Sequence, residues 1–157
     1  MPFQIHALHA GTYAHLSGLD DAALAARLAC RKVADSDPGF PCRVSLEDAR
    51  PGETVFLVHH VHQDADTPFR ASHAIYVREG AATAAPAPGD VPLMLRRRII
   101  SLRAFDSRGM LVAADIAEGD AVAERIESLL SDPLTDEIHL HFAKQGCFAA
   151  RVRRTGG

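Results

Sequence analysis

Short turn signals between alternating apolar runs constrain this chain more than any other feature of its sequence. Residues 99–105 and 110–116 alternate on either side of Asp106-Ser107-Arg108-Gly109, and residues 138–143 and 147–153 do so across Lys144-Gln145-Gly146. Strands this close in sequence pair antiparallel, because a parallel pair needs a crossover of about a dozen residues. Residues 2–6, 41–46, 54–62 and 72–78 show the same period of two. A further hairpin is predicted between 41–46 and 54–62, across Arg50-Pro51-Gly52-Glu53. Helical periodicity is rarer. Val122, Ile126, Leu129 and Leu130 share one face of a helix running from a cap at Asp120 to about Ser131. A second helix is predicted over 20–30, capped by Ser17 or Asp20, with Leu24 and Leu28 as its buried stripe and Cys30 in its core. A short third one is predicted near 91–97, capped by Asp90. The expected fold is α+β, a mainly antiparallel sheet of hairpins with two or three packed helices.

The 157 residues fit one domain, 1–157, large enough to bury a core without disulfide or metal staples. The formal charge of −3 argues against a nucleic-acid or anionic-membrane partner, since phosphate binding needs a basic surplus. The run Arg96-Arg97-Arg98 reads instead as cations favourably placed at a helix C-terminus. No apolar run approaches the ~20 residues of a membrane span. The first residues show neither the basic region nor the apolar stretch of a signal peptide. The three cysteines, Cys30, Cys42 and Cys147, cannot all pair within the chain, so free thiols in a reducing cytoplasm are expected. There are nine histidines and no tryptophan, and this excess asks for an explanation.

The last hairpin sets out one candidate site. A three-residue loop with Gly146 in the left-handed position places Ala143 opposite Cys147 and His141 opposite Ala149. His139, His141, Cys147, Ala149 and Arg151 then share one face, while Ile138, Leu140, Phe142, Phe148 and Val152 share the other. A four-residue loop breaks this parity and removes Cys147 from the histidine face. On the three-residue register, His141 and Cys147 form a candidate catalytic pair, with the thiol as nucleophile. In the run His59-His60-Val61-His62, His60 and His62 point one way and His59 the other. A His-x-His strand pair suits zinc or copper when His73, His139, His141 or a cysteine completes the set. Arg70, Ser72 and His73, with Arg43 and Ser45 from a neighbouring strand, can hold a carboxylate or phosphate through charge-assisted bonds. Cys42 shares a face with Val44 and Leu46 and reads as a small buried side chain beside that group. A nucleophile elbow, a phosphate-binding P-loop and a dinucleotide fingerprint are all missing from the sequence.

Four strings carry a resemblance. They are Gly39-Phe40-Pro41-Cys42-Arg43-Val44-Ser45-Leu46-Glu47-Asp48-Ala49, Phe69-Arg70-Ala71-Ser72-His73-Ala74-Ile75-Tyr76-Val77-Arg78-Glu79-Gly80, Leu102-Arg103-Ala104-Phe105-Asp106, and Gly146-Cys147-Phe148-Ala149-Ala150-Arg151-Val152. Together they resemble the bacterial family called domain of unknown function 1203, over roughly 2–153. The resemblance implies one small cytoplasmic domain and supplies no mechanism. It places Cys42, Arg43, His62, Arg70, Ser72, His73, His141 and Cys147 on motif positions. His59 and His60 fall outside those positions, and Phe142 stands where the family carries a polar residue.

Three functions compete. The first is a pocket for a small anionic molecule, bound by Arg43, Arg70, Ser72, His73 and Cys42, with Cys147 and His141 as an acid–base or nucleophilic pair and no cofactor. The second is a non-catalytic module whose open sheet face is covered by a second copy in a homodimer. The third is a zinc or copper site drawn from His62, His73 and His141, with Cys147 in the ligand pool.

Overall fold

The computed structural model describes residues 2–156. In chain order it contains β1 (Phe3–His6), α1 (Asp21–Ala26), β2 (Ala29–Val33), β3 (Thr54–Gln63), β4 (Ala71–Arg78), α2 (Leu93–Arg96), β5 (Ile99–Phe105), β6 (Leu111–Glu118), α3 (Ala121–Leu130), β7 (Glu137–Phe142) and β8 (Phe148–Arg154). The fold is α+β with antiparallel sheets, as the turn signals predict. The elements gather into two compact units, neither of them a continuous stretch of chain. The first unit comprises residues 2–6, 61–73 and 85–156, and the second comprises 7–60 and 74–84.

The first unit is a five-stranded sheet in the order β1-β8-β7-β5-β6. Asp106 closes the β5–β6 turn by accepting from the backbone N–H groups of Arg108 at 2.9 Å and Met110 at 3.0 Å. Gly109 completes that turn at φ +84°, a conformation glycine adopts without a Cβ penalty. Ile100, Leu102, Ala104, Ile138, Leu140, Ala150 and Val152 are buried, and α3 packs against β5 and β6 with Val122, Ile126 and Leu130 buried. Asp120 stands at the N-cap of α3, but its side chain makes no cap hydrogen bond. Asp90 does not cap α2, whose N-cap is Pro92. At the far end of α2, Arg96 and Arg98 donate to the Val91 and Met94 carbonyls. The Arg98 guanidinium also lies 4.9 Å from the Phe142 ring centre.

The second unit holds α1, β2 and the parts of β3 and β4 over 54–60 and 74–78, in the strand order β2-β3-β4. Ala34, Ala49 and Val55 form a small core against which Phe40 and Tyr76 pack. Asp20 caps α1 by accepting from Ala23 N–H at 2.8 Å. Two expectations fail in this unit. The helix predicted over 20–30 stops at Ala26, because Leu28 turns to φ +56° and the chain enters β2. Leu28 is therefore 70% exposed, and Cys30 is an exposed strand residue instead of a helix core residue. Residues 41–46 do not form a strand or a hairpin with β3, whose partner on that side is β2, in the register Ala29↔Val58 to Val33↔Thr54. The 41–46 segment instead makes single bridges, Pro41↔Asp48 and Cys42↔Tyr76, and turns through Leu46 at φ +53°. Cys42, Arg43, Val44 and Leu46 are all buried there, so the apparent two-face alternation recorded burial on every side.

Candidate metal centre

Strand β7 is the middle strand of its sheet, and a middle strand is covered on both faces when each face carries its own layer. Ile138, Leu140 and Phe142 are buried on one face of β7, and His139 and His141, 0% exposed, are buried on the other. The antiparallel registers place Arg103 and Ser101 of β5 opposite His139 and His141, and Arg151 of β8 opposite His139. Segment 61–73, which belongs to the same unit, packs on this polar face. The Arg151 Nη2 donates to the His62 carbonyl at 3.0 Å, and the Phe69 ring meets the Phe105 ring edge-on at 6.4 Å. The end of β3 and the start of β4 thus bring His62 and His73 to the β7 histidines. The His62 ring stacks on His73 at 4.9 Å and meets His141 edge-on at 4.7 Å. His73 meets His141 at 5.1 Å.

One ring nitrogen from each of His62, His73 and His141 lies within 4.8 Å of the other two. Three nitrogens on one tetrahedral zinc at ~2.0–2.1 Å stand about 3.3 Å apart, so this triangle closes on an ion by ring shifts of under about 1 Å. Hydrogen bonds also set the tautomers. Glu137 Oε1 accepts from His139 Nε2 at 2.7 Å. His139 Nδ1 is then an acceptor, and it receives a bond from His62 Nδ1 at 2.9 Å. His62 consequently carries its proton on Nδ1 and its lone pair on Nε2. His141 donates from Nδ1 to the Gly146 carbonyl at 3.0 Å, which leaves the lone pair on its Nε2. That nitrogen is buried and has no hydrogen-bond partner among the described residues. An imidazole whose other nitrogen is anchored to a carbonyl or a carboxylate relay has the form of a metal-ligating histidine.

Burial, with the arginine charges nearby, disfavours the protonated forms of His139 and His141. Burial pushes the His141 imidazole down to about 3, and the Arg103 cation pushes in the same direction. Burial also lowers His139, against the opposing pull of Glu137. Burial alone would raise the Glu137 carboxyl, but the bond from His139, the charge of Arg151 and the bond from Arg153 hold it at about 2. Arg153 donates to Glu137 Oε2 at 3.1 and 3.0 Å, and Arg151 lies 3.4 Å from the same oxygen.

The last hairpin corrects the predicted register. It follows the expected pairing from Ile138↔Val152 to Leu140↔Ala150, then shifts so that His141 pairs with Phe148. Ala149 is the extra residue of a β-bulge, and Phe142 N–H bonds to the Cys147 carbonyl at 2.9 Å. The loop therefore has four residues, 143–146, and Gly146 closes it at φ +79°. Phe148, expected on the apolar face, stacks on His62 at 5.1 Å and packs edge-on against His139 at 5.5 Å. Cys147 precedes β8, is half-buried and is not in the nitrogen triangle. The pairing of Cys147 with His141 rested on the three-residue loop, which the chain does not form.

The other candidates fall in both units. Arg70 is exposed and donates to the Asp64 and Ala65 carbonyls, with Asp66 at 3.5 Å. Ser72 and His73 are half-buried in β4 within the first unit. Cys42 and Arg43 belong to the second unit, where Cys42 Sγ accepts from Ser45 and Arg78 N–H and the buried Arg43 donates to the Pro41 carbonyl at 2.6 Å. His60 is also in that unit, with its Nδ1 2.8 Å from the Tyr13 hydroxyl, and His59 is exposed. The second unit carries a groove of about 220 Å³ lined by Tyr13, Ser17, Phe56 and Arg78 among others, and no histidine lines it. Sequence reasoning did not single out Glu137 or Arg103. The period of two does place Glu137 on the His139 face, and an acidic residue two before a strand histidine is the signal that pointed to it.

The family model described as "Protein of unknown function (DUF1203)" matches residues 39–154. No curated protein and no solved structure matches the chain. No helix among the described residues is long and apolar enough to cross a membrane.

Proposed function

We propose that this chain, which belongs to the DUF1203 family, binds one zinc or copper ion through His62, His73 and His141. The observation that carries the reading is the buried His141 Nε2, a lone-pair nitrogen without a hydrogen-bond partner, in a triangle with ring nitrogens of His62 and His73. A buried acceptor left unsatisfied costs about 1–3 kcal/mol, and a coordinated cation removes that cost. Imidazole ligands select zinc and copper over magnesium or calcium, which take oxygen. The set has three nitrogens and no thiolate, so a tetrahedral ion keeps a fourth position for water or a small ligand, and zinc in such a setting lowers the pKa of its water to ~7. Glu137 and His139 stand behind His62 as the relay that fixes its tautomer. We place the protein in the cytoplasm, a reading supported by three cysteines that form no disulfide among the described residues.

The test is metal analysis of tag-free protein purified without chelators, together with its His141→Ala variant. The expected result is about one zinc or copper per chain in the parent and a loss of at least ~tenfold in affinity in the variant. A parent that is metal-free as purified and takes up neither ion on addition would refute the reading.

A further inference from the structure

The charge around the three histidines points to what occupies the fourth position. Three neutral imidazoles bring no charge, so a divalent ion held by them keeps its full +2. The carboxylate in this region, Glu137, is engaged by His139, Arg151 and Arg153. A second positive charge stands beside the cage. Arg103 of β5 lies opposite His139, and its Nε donates to Ser101 Oγ at 3.4 Å. Ser101 is in turn opposite His141, so the Arg103 side chain runs back along its strand towards that ring. Arg103 is half-buried and pairs with no carboxylate among the described residues. Partial burial lowers its pKa without a compensating anion, and its cation is felt at His141. Arg151, across β7 from it, is occupied with the His62 carbonyl and Glu137.

We propose that the open position of the metal and the Arg103 guanidinium together bind one small oxyanion, with one oxygen on the ion and a second on the guanidinium fork. The inference rests on the metal reading above. Carboxylate, bicarbonate and phosphate share the required chemistry: a negative charge spread over two or more oxygens, matched to the planar donors of arginine. The anion offsets part of both positive charges in a site where an uncompensated buried cation is costly. It also accounts for an arginine held beside neutral histidines without an acidic partner.

The full chain, stripped of metal and refilled with one equivalent of cobalt(II), provides the test. Its visible absorption reports the ion's ligands directly. Acetate, bicarbonate and inorganic phosphate are titrated separately into the parent, Arg103→Gln and Arg103→Lys. At least one oxyanion should shift the cobalt bands saturably in the parent. Arg103→Gln should weaken that binding by roughly 10- to 100-fold, the loss of a charge-assisted bond, and Arg103→Lys should fall between. The cobalt stoichiometry of each variant reports whether the cage has folded. Cobalt bands that ignore all three anions, or an Arg103→Gln titration that overlays the parent, overturn this inference and leave the metal reading standing. Failure of the parent to bind cobalt overturns both. The ranking of the three anions separates a planar carboxylate-like ligand from phosphate.

Discussion

Replacing His141 with leucine should move the metal-free and metal-loaded proteins in opposite directions. In the metal-free protein the substitution removes a buried lone-pair nitrogen without a hydrogen-bond partner, a liability of about 1–3 kcal/mol. It also removes the Nδ1–H bond to the Gly146 carbonyl, which contributes about 0.5–1.5 kcal/mol. Gly146 lies in a half-buried turn. The net change in the metal-free protein therefore runs from about 0.5 kcal/mol against the variant to about 2.5 kcal/mol in its favour. With metal at a hundred times its dissociation constant, the parent gains about 2.7 kcal/mol that the variant lacks. Urea unfolding of both proteins, with chelator and with added zinc, reads both quantities. An orphaned ligand atom at His141 gives the two proteins crossing stabilities. A His141→Leu variant that is more than about 2 kcal/mol less stable without metal, beside a parent that zinc does not stabilise, would show that the histidine is a structural packing residue.

Three further outcomes follow from other parts of the molecule. Glu137 has its folded pKa lowered from 4.5 to about 2, so its stabilisation is complete above about pH 4.5 and is lost as the pH falls towards 2. In metal-free protein, Glu137→Gln should cost about 3 kcal/mol at pH 7 and nearly nothing near pH 2, measured by urea unfolding at both. Ile126 is fully buried on the inner face of α3, and Ile126→Ala should cost about 2–5 kcal/mol in the same assay, whereas Arg125→Ala on the exposed face should stay within about 1 kcal/mol. Iodoacetamide under native conditions should label the exposed Cys30 first and leave the buried Cys42 unmodified until unfolding, as read by peptide mass spectrometry. Native labelling of Cys42 at the rate of Cys30 would contradict its burial.

The sequence made some of this architecture legible and hid the rest for identifiable reasons. The Asp106–Gly109 turn carries its own signals, and α3 shows its buried face at i, i+4 and i+8, so local chemistry was enough to place both. The 20–30 segment misled because Leu28 matches a helical stripe. Its left-handed backbone and exposure are set by the chain's entry into β2, which no periodicity records. The 41–46 segment misled because burial on all sides imitates an alternating strand. At the site, the alternation of His139 and His141 was readable, and so was the pairing of His139 with Arg151. The bulge at Ala149 was not, since inserting one residue into a ladder leaves no trace in residue type. That one residue carries Phe148 onto the histidine face. The meeting of His62 and His73 with His141 depends on contacts across segments far apart in the chain, and spacing alone left those three as one ligand pool among several.

X-ray absorption at the metal edge of stoichiometrically loaded protein tests the central claim most directly. The account predicts three imidazole nitrogens at ~2.0–2.1 Å, one further light-atom ligand and no sulfur. A sulfur scatterer at ~2.3 Å would bring Cys147 or another thiol into the first coordination sphere and contradict the three-histidine site, and a shell of oxygens without imidazole would contradict it too.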